Sequence, residues 1–272
     1  MKTHEQRTEA FYAHGVENYG TFHANYLNFG LWEQGTTDYV EAAERLLDRI
    51  GTKIRLSRQS HLLDVACGMG TQDLFLMRRF ECAAIEAMDL TAKHIAIAAA
   101  RNEFPNLTYR IGDACSLPFA RDSFTHVTAI EGVVHFNPRE QFFREARRVL
   151  KRDGILGMSD FCLAREPRSA VERLIIRACE RAWHVPTENT ETTETYAAKL
   201  ARSGFADAEI EVVSDRVIPG YLAEQKRPEV RRAQSRIRGA VIGTVGPAID
   251  WLVRKAYERG LLAYILVTGR KS

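Results

Sequence analysis

Leu62-Leu63-Asp64-Val65-Ala66-Cys67-Gly68-Met69-Gly70-Thr71 is the stretch that decides the fold. His61 to Val65 reads as a buried strand that delivers the chain into a turn with two glycines, where backbone can approach a ligand closely. A helix predicted from about Gln72 to Phe80 then aims its N-terminal amides and positive dipole at an anionic group. A dinucleotide site uses the same geometry with a third glycine three positions on. Asp73 stands there instead and is expected to crowd and repel a pyrophosphate. No Gly-Lys-Ser/Thr follows, so a phosphate-binding loop is excluded as well.

Outward from that turn, strands alternate with helices. A second strand, Ala83 to Met88, ends at Asp89, about 20 positions after Gly70, where a carboxylate can accept both hydroxyls of a ribose. The next helix starts at Thr91. A third strand, Leu107 to Ile111, leads into Gly112-Asp113, where a carboxylate can accept from an adenine amino group. A fourth, His126 to Ile130, leads into Glu131 and His135; a helix, Arg139 to Lys151, and the turn Asp153-Gly154 precede a fifth, Ile155 to Ser159. This is the pattern of βαβ units in an α/β fold with a largely parallel sheet, and ligands bind such sheets at the C-terminal tips of the strands. A nucleoside whose far end brings a single carboxylate fits the turn without a third glycine, which favours S-adenosylmethionine over NAD.

After Phe161 the rhythm changes: helices at about 167–184 and 193–203, a strand from Ala208 to Val213, a mostly helical stretch over about 222–259, and a last strand, Leu262 to Thr268. An insertion of roughly 40 residues between the last two strands reads as a lid. At the other end, residues 4 to 50 read as helical and aromatic, closing with an amphipathic helix, Asp38 to Ile50, that Gly51 stops. The expected organisation is a helical N-terminal cap, 1–50, and one domain, 51–272, with lid-like insertions at about 162–200 and 222–259.

Composition limits the partners. Of 272 residues 45% are hydrophobic and 27% charged, as in a protein with a real core, and the net charge of +3 is too small to point to nucleic acid. Arg227, Arg231, Arg232, Arg236 and Arg238 read as the solvated side of a late helix, or else as a rim that attracts an acidic substrate or membrane surface. Five scattered cysteines, Cys67, Cys82, Cys115, Cys162 and Cys179, suggest neither a disulfide framework nor a metal site. There is no apolar leader and no run of about 20 apolar residues, so a cytoplasmic protein without a membrane span is expected. Oligomeric state is not readable, and a homo-oligomer stays open.

The run from Asp64 to Phe161 resembles a class I S-adenosylmethionine-dependent methyltransferase, and within that class the small-molecule branch with the tocopherol, sarcosine/dimethylglycine and rebeccamycin-type sugar O-methyltransferases. Asn25-Tyr26-Leu27-Asn28-Phe29-Gly30-Leu31-Trp32 is similar to that branch's N-L-x-F/Y-G-x-W element, Ile130-Glu131-Gly132-Val133-Val134-His135-Phe136 to its E-S-x-x-H-M segment, and Ser203-Gly204-Phe205 to its A-G-F element. The chain departs from the usual Gly-Cys-Gly with Ala66-Cys67-Gly68, and from M-P-D with Phe136-Asn137-Pro138.

The resemblance implies a Rossmann-like, mainly parallel seven-stranded sheet with helices on both faces, and a set of roles. Asp64 would belong to the cofactor-binding segment, with Ala66, Gly68 and Gly70 at the methionine part, Asp89 and Leu90 at the ribose, and Asp113, Ala114 and Cys115 at the adenine. Glu131 would approach the methionine amino group, and Tyr19 or Tyr26 would close over the cofactor. The implied reaction is in-line methyl transfer to a small-molecule acceptor, expected at a hydroxyl of a secondary metabolite. Nitrogen or carbon acceptors are alternatives, and an NAD-dependent oxidoreductase is the disfavoured one. An alcohol acceptor gains from losing its proton during attack, and His135 is the candidate base. Trp183, His184 and Tyr196 are expected at the cavity edge or in the core, and Asp160 either at the substrate or capping a turn.

Overall fold

The computed structural model describes residues 3–13 and 23–272, and for 234–246 the backbone alone. Its sheet has seven strands in the order β3-β2-β1-β4-β5-β7-β6. β1 (His61–Val65), β2 (Ala84–Asp89), β3 (Leu107–Ile111), β4 (Phe124–Ile130) and β5 (Leu150–Leu163) run parallel. β7 (Leu262–Arg270) is inserted antiparallel between β5 and β6 (Glu209–Val212). Neighbouring strand residues feed opposite cores: Leu62 packs with Leu46, Leu47 and Ile50, whereas Leu63 packs with Phe142, Phe143 and Val149. Strands buried on both faces read as continuous apolar runs, which is why β1 was legible. α2 (Tyr39–Lys53), α3 (Thr71–Phe80), α8 (Ser214–Glu224) and α9 (Pro228–Glu258) serve the first core, and α5 (Arg139–Val149) and α7 (Thr193–Arg202) the second. α1 (His4–Ala13), α4 (Ala92–Ala100) and α6 (Ala170–Trp183) complete the helices described.

Several sequence expectations are corrected. Gly51 does not stop α2, which runs on to Lys53; a Cβ there would lie 2.4 Å from the Phe80 ring, so the glycine lets α2 and α3 close together. Residues 24–37 are not helical. Ala24, Asn25, Gly30 and Gly35 take left-handed backbone, and the strap lies on α2, with the Leu31 N–H donating to the Ala42 carbonyl. β5 is longer than Ile155–Ser159 because β7 pairs with it from Ile155 to Leu163; Asp153-Gly154 becomes an irregularity inside the strand. The late helical stretch begins at Ser214 and splits into two helices. Arg227 pairs with Glu224 and Glu229, while the side chains of Arg236 and Arg238 lie outside the described residues. Among the described residues no helix is long and apolar enough to cross a membrane.

Candidate active site at the C-terminal strand tips

The turn after β1 is strained into shape. Ala66 (φ 63°), Gly68 (φ 56°) and Gly70 (φ 76°) are all left-handed, a conformation that costs an alanine roughly 1–2 kcal/mol. Gly70 is required from behind: a Cβ would lie 2.5 Å from the Tyr109 hydroxyl and 2.7 Å from the Ala98 methyl group. The turn is tied to β2, with the Cys67 N–H on the Met88 carbonyl and the Gly68 N–H on Asp89 Oδ2, each at 3.0 Å.

Beneath the turn, Asp64 accepts from Thr128 Oγ1 at 2.6 Å and from Gln72 Nε2. Asp73 is buried beside it, and burial and the Asp64 charge push its carboxyl well above the ordinary range. Asp64, Asp73 and Gly70 therefore support the turn from below and do not line the cleft. The expected repulsion of a pyrophosphate by Asp73 does not arise. The electrostatic obstacle lies elsewhere: the described lining residues include Glu5, Asp89 and Asp113 but neither lysine nor arginine.

The cleft runs over the tips of β1 to β4 and under the strap and α1. The empty space in and above it, open solvent included, is about 1320 Å³. At the β2 tip, Asp89 Oδ2 accepts from Gly68, and Oδ1 accepts from the Thr91 N–H at 2.8 Å and meets His94 Nδ1 at 3.1 Å. Burial alone would raise its carboxyl, but His94 and the two amides overcome that and hold it below the usual value. Both oxygens thus already serve the protein before any ribose hydroxyl arrives. Leu90, Asp113 and Ala114 line the cleft beside it. Cys115 does not; burial pushes its thiol up to about 12.

At the β4 tip, Glu131 also has left-handed backbone (φ 57°). Its Oε1 accepts from the Phe29 N–H and the Tyr264 hydroxyl, both at 2.6 Å, joining the strap and β7 to the cleft. Burial pushes its carboxyl up to about 8 in spite of those bonds. Tyr26 lines the cleft with its hydroxyl on Glu44 at 3.0 Å, and Tyr19 lies outside the described residues.

His135 ends a single 3-10 turn, Val133–His135. Its Nε2 meets the Tyr12 hydroxyl at 2.7 Å, and its carbonyl meets His4 Nε2 at 2.9 Å. Burial, reinforced by His4, pushes its pKa down to about 3, so the ring is neutral. Phe29, Phe161 and Trp183 form an aromatic wall of the same cleft, with Tyr221 stacked behind Phe29 at 3.6 Å. Tyr196 belongs to the core, and its hydroxyl donates to Asp160 at 2.9 Å; Asp160 is fully buried and off the cleft. Tyr12 and His94 were missed from sequence. Tyr12 has no local signal, whereas His94 follows Asp89 at the first turn of a helix.

The Methyltransferase domain family matches residues 63–158, from β1 into β5. Erythromycin 3''-O-methyltransferase of Saccharopolyspora erythraea is 31% identical over 257 residues, covering 86% of this chain and 84% of that protein. The chain is an S-adenosylmethionine-dependent methyltransferase. Two solved structures share its fold. The [4+2]-cyclase SpnF aligns with a TM-score of 0.76 at 22% identity, over 99% of this chain and 96% of that one. Phosphoethanolamine N-methyltransferase 2 of Haemonchus contortus, in complex with S-adenosyl-L-methionine, aligns with a TM-score of 0.81 at 16% identity, over 100% of this chain and 60% of that one. The methyltransferase is thus of class I and the small-molecule branch, as the sequence motifs implied. Asp89, Asp113 and Glu131 line its cleft, and the described lining residues include neither lysine nor arginine to meet a pyrophosphate.

Proposed function

We propose that the methyltransferase methylates a hydroxyl oxygen of a small, partly apolar secondary metabolite, with His135 as general base. The observation that carries this reading is the 2.7 Å contact between the Tyr12 hydroxyl and His135 Nε2: a neutral ring nitrogen already meets a hydroxyl inside the cleft. The resemblance to an erythromycin O-methyltransferase favours oxygen as the acceptor atom, and the wall of Phe29, Phe161 and Trp183 favours an apolar acceptor body.

S-adenosylmethionine, when bound, supplies the activated methyl group. Ala66 and Gly68 would hold its methionine part, Asp89 and Leu90 the ribose, Asp113 and Ala114 the adenine, and Glu131 the amino group. Tyr26 would close the strap side. His135 takes the acceptor proton at Nε2 as the oxygen is alkylated. The acceptor is a small molecule rather than nucleic acid, and five free cysteines agree with a reducing cytosol.

A labelled-methyl screen over hydroxylated metabolites and their O-blocked analogues tests the reading. Label is expected in free alcohols or phenols only; label in the O-blocked compounds assigns the transfer to nitrogen or carbon instead.

A further inference from the structure

The turn that carries His135 is fastened by a buried ion network. Arg139 is fully buried, with Nη2 3.2 Å from Asp160 and Nη1 3.3 Å from Glu191. Its guanidinium lies 4.8 Å from the Tyr196 ring centre, and Nη1 also donates to the Asn189 carbonyl at 3.2 Å. Asp160 accepts from Tyr196, and Glu191 is paired a second time by Lys199. Buried ion networks add little stability over apolar packing of the same volume, whereas removing one member is costly. The geometry they fix is therefore the informative feature.

What this one fixes is residues 133–136. Asn189 Nδ2 donates to the Val134 carbonyl at 2.9 Å and to the Phe136 carbonyl at 2.8 Å. Arg139 Nε reaches the Val133 carbonyl at 3.5 Å, and the Val134 amide faces Asp160. Backbone on both sides of His135 is thus held by side chains that never touch the cleft. The two bonds from Asn189 need two donors on one nitrogen at the end of a short side chain, which asparagine supplies and aspartate or alanine does not.

We propose that Asn189, held in place by Arg139, is a positioning residue that sets the direction of His135 Nε2. The proposal rests on His135 being the base. It also gives the segment between β5 and α7 a part in the reaction beyond covering the cleft.

The test uses the full chain with ¹⁵N-labelled histidine, saturated with S-adenosylhomocysteine, together with turnover of an acceptor from the labelled-methyl screen. Asn189→Ala is expected to move the His135 ring nitrogen signals and to lower kcat about 10- to 100-fold, with donor affinity kept. In a His135→Ala background the same change should lower kcat no further. Asn189→Ser keeps one donor and should shift the signals in the same direction by less; it serves if the alanine variant fails to fold. Unshifted His135 signals in a folded variant overturn the positioning role whatever the kinetics. Wild-type turnover in His135→Ala overturns the base reading instead, and the ring signals then still report the geometry.

Discussion

Tyr12 places its hydroxyl 2.7 Å from Nε2 of His135, across more than 120 residues of sequence. One partner comes from the first helix and the other from the turn after β4, so the contact exists only when α1 lies over the strand tips. His4 and Thr8 extend it: His4 meets both the His135 carbonyl and the Thr8 hydroxyl. Replacing His135 by alanine is expected to lower turnover about 10²- to 10⁴-fold. Calorimetry should find donor affinity kept, because His135 is not among the residues assigned to the donor. Turnover at the wild-type level would remove His135 from the mechanism.

The same ring makes a pH prediction. Its pKa falls from an ordinary 6.5 to about 3 in the folded protein, so below pH 6.5 the unfolded chain binds the extra proton. Stability should therefore drop as pH falls from 6.5 toward 3, by about 1.4 kcal/mol per pH unit from this group. The rate should show no loss near pH 6.5 attributable to His135, since the ring stays neutral there. Denaturant melts of the wild type and His135→Ala between pH 4 and 7 measure the difference in slope; equal slopes would contradict the burial of a neutral ring.

Glu131 behaves in the opposite sense. Burial lifts its carboxyl to about 8, so the free protein holds it protonated at pH 7. Its contribution to stability is full below pH 4.5 and declines as pH rises through 8. An ammonium group nearby favours the ionised form, so donor binding at pH 7 should release most of one proton. Titrations in two buffers of different ionisation enthalpy read that number directly. Glu131→Gln should abolish the release; release unchanged in that variant would show that another group titrates.

A fourth prediction concerns Ala66, which stands where the motif it resembles has glycine. Ala66 is left-handed, and a Cβ added to Gly132 would lie 2.3 Å from the Ala66 methyl. Ala66→Gly should raise stability by about 0.5–1 kcal/mol, the strain relieved less the added freedom of the unfolded chain. Gly132→Ala should destabilise the protein, and less so when Ala66→Gly is also present. A double-mutant cycle with no coupling between the two sites would contradict this packing.

Much of the site was legible because a parallel sheet gathers the C-terminal ends of its strands at one edge. Asp89, Asp113, Glu131 and His135 each follow a strand in sequence, and that order alone brings them together. The legible part stops where long-range packing decides. Asp73 looked like a guard over the turn, but the helix turns it inward against Asp64. Gly51 looked like a helix stop, but the Phe80 ring takes the space of its missing side chain. Residues 24–37 looked helical, yet left-handed Asn25 and Gly30 lay them out as a strap whose Phe29 amide reaches Glu131. Asn189 and Arg139 carried no motif, since Asn189 acts on two carbonyls more than 50 residues away and Arg139 on Asn189 itself.

Titration calorimetry with S-adenosylmethionine, S-adenosylhomocysteine and NAD addresses the cleft most directly. Saturable one-to-one binding of the donor and its demethylated product, with no heat from NAD, is the expected result. A folded sample with no affinity for either sulfur compound, or one that prefers NAD, would contradict the account.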